Sequence, residues 1–312
     1  MAISLKHSNY QQEIIAAVIV TFYPDKEQLS LNLHHLAGEV EKIVIVDNTP
    51  SSASNSVHAS CFPPHEVIPL GVNRGIAFAQ NAGIRRASDL GATHVLLLDQ
   101  DSALAKDGVD KLLAVLKHLE KNGEKVAACC ALPCGGKYPE GFPLIVDQDG
   151  WPKRVLPPIE GETKVIHTIA SGSLIPMNVL SRVGTMKDEL FIDYVDIEWG
   201  LRAGYMGFSS YVVSQVMLHH SLGDSSIKFL LTDRYIPTYS SFRYYYQMRN
   251  VLLLCRMPHV SWRWIAWHIP RVIFIKSIFL ILTSKNKALT AREMLRGMLH
   301  GLLGKYSGSP KS

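Results

Sequence analysis

The sequence predicts an α/β fold with a largely parallel, Rossmann-like sheet flanked by helices on both faces. Three observations predict it. Apolar runs alternate with helix-period segments from Ile14 to Leu132. The runs are nearly continuous in apolar residues, as strands covered on both faces are. Three of them end at Thr21, Asp47 and Asp99, so one sheet edge collects the polar groups, and ligands bind at the carboxyl ends of such strands.

The elements follow in order. Ile14–Phe22 reads as a strand. Asp25–Leu36 reads as a helix, with Leu29, Leu33 and Leu36 on one face and Pro24 before it. Glu41–Asp47 and Glu66–Leu70 are strands around the polar loop Ser51–Ser60. Gly75–Ser88 is helical, with Ala77, Ala79, Ala82 and Ala87 as small packing residues; His94–Asp99 is a strand, Lys106–Asn122 a helix and Lys125–Leu132 a strand. Pro133–Thr163 is rich in Pro, Gly and charge and reads as a loop or hairpin over the site. Thr168–Pro176 resumes as a strand, Glu198–Tyr205 as a short helix and Gly207–Leu218 as a strand. The expected division is an α/β unit over residues 1–230, which carries the ligand-binding sheet edge, and a helical, basic and aromatic extension over 231–312.

Composition sets limits. The 312 residues are 47% hydrophobic and 19% charged, enough for a sizeable core, and the net charge of +5 is too mild to imply a nucleic-acid partner. The opening MAISLKHSNYQQE has no apolar h-region, so no secretory signal is expected. Five cysteines, Cys61, Cys129, Cys130, Cys134 and Cys255, read as free and mostly buried thiols. Trp262–Thr283 (WRWIAWHIPRVIFIKSIFLILT) approaches the length of a membrane span, but Arg263, His268, Arg271 and Lys276 interrupt it and Pro270 would kink it. Such a segment suits a helix lying in a membrane interface, with Lys285, Lys287, Arg292 and Arg296 favouring anionic headgroups; a core helix of a C-terminal subdomain is the other reading.

The chemistry is carried by acids. In LLLDQDS, Asp99 and Asp101 lie two apart, so they point to the same side as the strand ends. Two close carboxylates resist ionising together unless a cation lies between them, and Mg2+ or Mn2+ takes carboxylate and phosphate oxygens. A solvated turn is the other reading of the same residues. Neither a Gly-x-x-x-x-Gly-Lys-[Ser/Thr] loop nor a Gly-x-Gly-x-x-Gly turn is present, which argues against a P-loop NTPase or a dehydrogenase. Asp47-Asn48 ends a strand and could accept from a base or ribose. Asn73 precedes a helix and could cap it, with Arg74 near phosphate. In FIDYVDIEWGLRAGY, Asp193, Asp196 and Glu198 form a second acidic group, either a helix N-terminus or the seat of a general base. His219 and His220 follow a strand and could meet metal or phosphate.

Taken in order, VIVTFYPD, IVDNT, NRGIAFAQNAGI, LLLDQDS, ASGSLI, FIDYVDIEWGLRAGY, HHSLG and YYYQMRN resemble family 2 glycosyltransferases of the type A fold, most closely their bacterial rhamnosyltransferase branch. The resemblance spans roughly Ile14 to Asn250. It implies that Thr21, Tyr23 and Asp47 hold the nucleoside, that Asn73, Arg74, Gly75 and Asn81 line the nucleotide pocket, and that Asp99, Gln100, Ser171 and Gly172 belong to the donor side. It implies Asp101 as metal ligand, for Mg2+ or Mn2+, with His220 or its neighbour His219. Val195 stands where the family has Glu, so Asp193 and Asp196 both qualify as base; Asp196 is assigned the role. Asp193, Trp199, Arg249 and Asn250 are expected on the acceptor side. The implied reaction is inverting transfer of L-rhamnose from dTDP-L-rhamnose to a sugar hydroxyl of a surface glycan, lipid-linked or of the lipopolysaccharide type. The implied place is the cytoplasmic face of the inner membrane, with peripheral attachment. A sugar-nucleotide pyrophosphorylase is disfavoured, because VTFYPDKEQL lacks a glycine-rich signature. A non-catalytic glycan- or lipid-binding protein is disfavoured by the intact acids.

Overall fold

The computed structural model describes residues 13–52, 65–157, 160–219, 225–228 and 235–306. Strand β1 (Ile15–Thr21) leads to helix α1 (Lys26–Leu36), whose first turn is capped by the Asp25 carboxylate accepting from the Glu27 and Gln28 amides. Then follow β2 (Lys42–Asp47), β3 (Glu66–Pro69), α2 (Ile76–Asp89), β4 (His94–Asp99), the short β5 (Ala103–Leu104), α3 (Gly108–Lys121) and β6 (Val126–Cys134). The hairpin β7 (Leu144–Gln148) and β8 (Trp151–Val155) precedes β9 (Glu162–Val165), β10 (Ser173–Pro176), α4 (Met177–Val183), α5 (Val195–Tyr205) and β11 (Ser209–His219). A second hairpin, β12 (Ser225–Lys228) and β13 (Tyr235–Thr238), leads into α6 (Ser241–Leu254), α7 (Trp262–Pro270), a π turn over Arg271–Lys276, α8 (Ser277–Thr283) and α9 (Lys287–Leu302).

The main sheet runs β3-β2-β1-β4-β10-β6-β11-β5, with β9 added to β11. Of these nine strands among the described residues, six run one way and β5, β9 and β10 run against them. The mostly parallel sheet is therefore as expected. Its one internal reversal lies where a longer strand was expected: only Ser173–Pro176 of the Thr168–Pro176 stretch pairs, antiparallel to both β4 and β6. Gly172, at φ 79°, turns the chain into that reversed strand, and a side chain there would press on Leu218.

Strand β1 shows why the pattern is continuous. Ile15, Ala17 and Ile19 pack with Leu29, Leu33, Leu112 and Leu116 on one face, and Ala16, Val18 and Val20 pack with Ala77, Ile84 and Trp199 on the other. The second core also takes Tyr244, Met248, Val251, Leu254, Trp264, Val272 and Leu280. Residues beyond 230 thus share the core of the α/β unit. Cys129, Cys130 and Cys134 are buried free thiols, and burial pushes the Cys130 thiol up to about 11. Cys61 lies outside the described residues.

Candidate active site

Register brings the donor-side residues together. Thr21 lies opposite Asp47, and Val20 opposite Asp99, at the carboxyl edge of β2, β1 and β4. Thr21 is fully buried and its hydroxyl donates to Asp47 Oδ1 at 2.9 Å; the Thr49 amide reaches the same oxygen. Tyr23, half exposed at φ 48°, is held by its amide on the Thr49 hydroxyl. Beside them, Asn48 and Asn73 interlock: Asn48 Nδ2 donates to Asn73 Oδ1, and the Arg74 amide donates to Asn48 Oδ1. The Arg74 guanidinium sits over the Phe78 ring, 3.8 Å from its centre.

The turn after β4 carries the paired acids. The Asp99 amide donates to the Ser171 hydroxyl, which donates on to Ser102. Gln100 is occupied otherwise than expected: its carboxamide accepts from the Phe22 amide and donates to the Phe22 carbonyl, tying the β1 loop to this turn. Asp101 is exposed at the turn's tip. Leu218 and His219 of β11 pair with Leu104 and Ala103, which brings His219 to the strand that follows the Asp101 turn. His219 places Nδ1 3.6 Å from Cys134 Sγ; His220 lies outside the described residues. No group of three or more His, Cys, Asp or Glu is clustered for a metal among the described residues. Asp99 and Asp101 offer carboxylate oxygens, a donor set that fits a hard cation completing its shell from phosphate and water.

The second acidic group divides three ways. Glu198 is fully buried and holds Arg202 through two bonds of 2.9 and 3.0 Å, with His259 at 3.0 Å. It is a core ion cluster. Asp193 receives two bonds from Arg243, at 2.7 and 3.1 Å. Asp196 opens α5, its carboxylate accepting from the Ile197 amide. A helix N-terminus favours a carboxylate, but burial outweighs it here and, with Asp193 nearby, pushes Asp196 up to about 6. That value suits a base operating near neutral pH.

Asp99 and Asp196 line one cavity of about 570 Å³, together with Ser171, Gln80 and Asp193. Its other wall comes from Tyr239, just before α6, and from the C-terminal helices: Arg243, Gln247, His268, Val272 and Lys276. His268 accepts or donates across 2.9 Å to the Tyr194 hydroxyl and stacks on Trp264; burial pushes its imidazole down to about 3, so it is neutral. Sequence reasoning assigned none of these helical residues to the site. The one signal in the sequence is the basic, aromatic character of the segment, which a membrane interface or a core helix explains without a role in the site. Conversely, the β7–β8 hairpin contributes nothing to this cavity; it packs Trp151 edge-on against Trp262 at 5.3 Å.

Several expected ligand residues act one layer behind. Asn81 spends its carboxamide on Met186 and Asp188, fixing that loop against α2. Gly75, at φ 85°, lets the Phe191 carbonyl pass where a side chain would lie 2.5 Å away. Trp199 is buried and donates to the Gly184 carbonyl, away from the cavity. Arg249 and Asn250 are buried too. Arg249 donates to the Glu189 and Leu190 carbonyls, and Asn250 Nδ2 to those of Leu190, Ile192 and Asp193. They clamp the loop that presents Asp193 and Asp196 rather than facing the acceptor.

The profile of glycosyl transferase family 2 matches residues 17–181. The chain is also 32% identical to the dTDP-rhamnosyl transferase RfbF of Shigella flexneri over 298 residues, covering 94% of this chain and 97% of the relative. The chain belongs to glycosyl transferase family 2. Solved structures agree on the fold. Residues 1–349 of S. aureus TarS, in complex with UDP-GlcNAc, superpose with a TM-score of 0.55 at 13% identity, covering 93% of this chain and 81% of that one. GalNAc-T7 with UDP, GalNAc and Mn2+ superposes at 0.52 and 14% identity, covering 68% of this glycosyltransferase and 44% of that chain.

Proposed function

We propose that this glycosyltransferase moves L-rhamnose, with inversion, from dTDP-L-rhamnose to a sugar hydroxyl of a lipid-linked or lipopolysaccharide-type surface glycan. The observation that carries the reading is the shared cavity: the donor-edge carboxylate Asp99 and the perturbed carboxylate Asp196 open onto the same space. The 32% identity to a dTDP-rhamnosyl transferase along nearly the whole chain supports the choice of donor.

Asp196 takes the proton from the acceptor hydroxyl. The hydroxyl oxygen attacks C1 of the rhamnose from the face opposite the diphosphate. The C1–O bond to the diphosphate breaks, and dTDP leaves. By analogy with glycoside hydrolysis the transition state is oxocarbenium-like. Asp101, with Asp99 beside it, would hold Mg2+ or Mn2+, and such an ion supplies Lewis-acid neutralisation of the departing diphosphate. Asn73, Arg74 and the Thr21–Asp47 pair shape the edge that receives the nucleotide.

The test is a thermal-shift panel of nucleoside diphosphates with and without Mn2+. At a hundredfold excess over Kd, binding adds about 2.7 kcal/mol to stability. A metal-dependent shift with dTDP that exceeds those with UDP and GDP is expected, and is lost in Asp101→Asn. Equal shifts without metal would sink the reading.

We also place the protein peripherally on the cytoplasmic face of the inner membrane. Among the described residues Trp262–Thr283, which holds an 18-residue window of mean hydropathy 1.7, is long and apolar enough to cross a bilayer. Its site-facing residues argue for lying flat instead, since a helix that spans cannot also wall a cavity over the sheet edge. The outward face exposes Phe274, Ile275, Ile278 and Leu282, and α9 adds Leu295, Leu299 and Leu302. Because Trp264 and Leu280 are core residues, deletion would unfold the protein. Changing Phe274, Ile275 and Ile278 to Glu should move it from membrane pellet to supernatant with turnover of a soluble acceptor retained; unchanged partition refutes the placement.

A further inference from the structure

The Trp262–Thr283 segment has two faces with different tasks. His268, Val272 and Lys276, spaced by four, line the cavity. Phe274, Ile275, Ile278 and Leu282 face outward, each more than half exposed at 62%, 53%, 57% and 63%. Pro270 cannot continue the hydrogen-bond ladder, and the π turn that follows carries Val272 and Lys276. The Ser277 hydroxyl donates to the Val272 carbonyl at 2.8 Å and holds that turn.

Two groups in the cavity lack what they need. Lys276 makes one hydrogen bond among the described residues, to Gln247 Oε1 at 3.3 Å, and no ion pair; burial pushes its ammonium below the usual lysine range. The Asp193 carboxylate, which would attract it, is already held by Arg243. The Asp193 charge acts on Lys276 without pairing with it, and an ammonium has three donors, so a desolvated one with a single bond to a carboxamide is left short of partners. Across the cavity Gln80 is 4% exposed, and its carboxamide oxygen has no partner. It requires a hydroxyl or amide donor. A ligand that meets both demands brings hydroxyls and a negative charge. The apolar outer face of the same helix adds a third demand, a hydrocarbon chain.

We propose that the helical wall is an anion subsite for the acceptor, in which Lys276 receives the phosphate of an acceptor sugar carried on an alkyl or prenyl phosphate. This rests on the reading of Asp196 as the base, since that residue divides the cavity into a donor edge and an acceptor wall. The donor's own diphosphate belongs at the opposite edge, beside Asp99 and Asp101, where a cation serves it. Lys276 therefore acts without metal. Gln80 takes a sugar hydroxyl. The chain leaves along the exposed apolar face, so one helix orders the head in the site and the tail in the lipid.

Decyl diphosphate in the presence of EDTA is the probe, read by tryptophan emission, because Trp264 and Trp267 both stack on the cavity residue His268. Full-length wild type should bind it, and at least ten times more tightly than inorganic diphosphate. Lys276→Met, which keeps the apolar stem, should weaken binding tenfold or more; Lys276→Arg should stay within a few fold; Asp101→Asn should be unchanged. Equal binding by wild type and Lys276→Met overturns the proposal. So does binding that needs Mn2+ and disappears in Asp101→Asn, which would assign the anion to the donor edge. Equal affinity for inorganic and decyl diphosphate removes the lipid source. The dTDP–Mn2+ shift of Lys276→Met, measured alongside, reports on the donor site separately and should match wild type. Should Lys276→Met fail to fold, the Arg variant and the EDTA dependence of wild type still decide.

Discussion

Two loops bring carboxylates to the same cavity, and they are built in opposite ways. The turn Asp99–Ser102 follows a buried parallel strand and is tied by Ser171, Ser102 and Gln100, with none of its residues at positive φ. The loop before α5 places Phe191, Asp193 and Tyr194 all at φ between 62° and 67°. Each such residue stores on the order of 1–3 kcal/mol of strain, which persists only where surroundings over-determine it. Here Asn250 binds three of the loop's carbonyls, Arg249 two in and beside it, and Arg243 the Asp193 side chain. On the proposed reading, the relaxed turn is the one that meets the ion. The strained loop aims one acid, Asp196, at a single place and keeps its neighbours occupied. The difference teaches that holding a cation asks for accessible oxygens, whereas moving a proton asks for a fixed one.

The largest expected effect breaks the second loop's chemistry and spares the first. Asp196→Asn should lower kcat by about 10²–10⁴ with dTDP–Mn2+ binding retained. For the wild type, kcat/KM should climb with pH through about 6, the value to which burial raises this carboxyl, because the base must be unprotonated. The same shift has a stability consequence. A carboxyl whose folded pKa is raised stabilises the fold below its unfolded value near 3.8, and that contribution is lost as pH rises through about 6. Asp196→Asn should therefore melt higher than wild type at pH 8, by on the order of 1–3 kcal/mol, and the gain should vanish at pH 4. A variant that is inactive but no more stable at pH 8 would mean that Asp196 is not desolvated.

Next in size is the clamp. Asn250→Ala leaves the Leu190, Ile192 and Asp193 carbonyls without their common donor. About 2–4 kcal/mol of stability should go, measured by denaturant midpoint. Displacing the base by an ångström costs up to about 10² in rate, so kcat should fall while donor KM holds. If donor KM rises instead, the two loops are not independent, and the comparison drawn between them fails.

How far the sequence reaches follows the same division. Strands β1, β2 and β4 are nearly continuous apolar runs with a polar end, and local pattern suffices to place Thr21, Asp47, Asp99 and Asp101 on one edge. The matching order of short motifs then supplies the family. Motif matching assigns Asn81, Arg249 and Asn250 to ligands, yet their side chains are consumed by main-chain carbonyls of loops more than fifty residues away in sequence. Nothing local distinguishes a polar residue that binds substrate from one that binds a loop. The helical wall was hidden for a related reason. Arg243, His268 and Lys276 lie in a segment whose aromatic and basic composition has an adequate explanation at a membrane surface. That His268, Val272 and Lys276, spaced by four, turn one face toward the acids, with Arg243 beside them from α6, depends on how these helices pack on the sheet.

The smallest expected effect separates these two uses of a polar side chain at one position. Trp199 sits three residues after Asp196, was expected on the acceptor side, and is buried with its indole donating to the Gly184 carbonyl at 2.9 Å. Trp199→Phe keeps most of the ring volume and removes that donor. The Gly184 carbonyl then loses its partner, and the ring leaves a small void against the core. Stability should drop by about 1–2 kcal/mol, with kcat and acceptor KM unchanged within a factor of two. An acceptor-binding tryptophan would give the reverse, since losing a stacking surface raises acceptor KM and leaves the melting temperature alone. A raised acceptor KM at constant stability would therefore return Trp199 to the site. It would also mean that the cavity extends past the α5 core when substrate is bound.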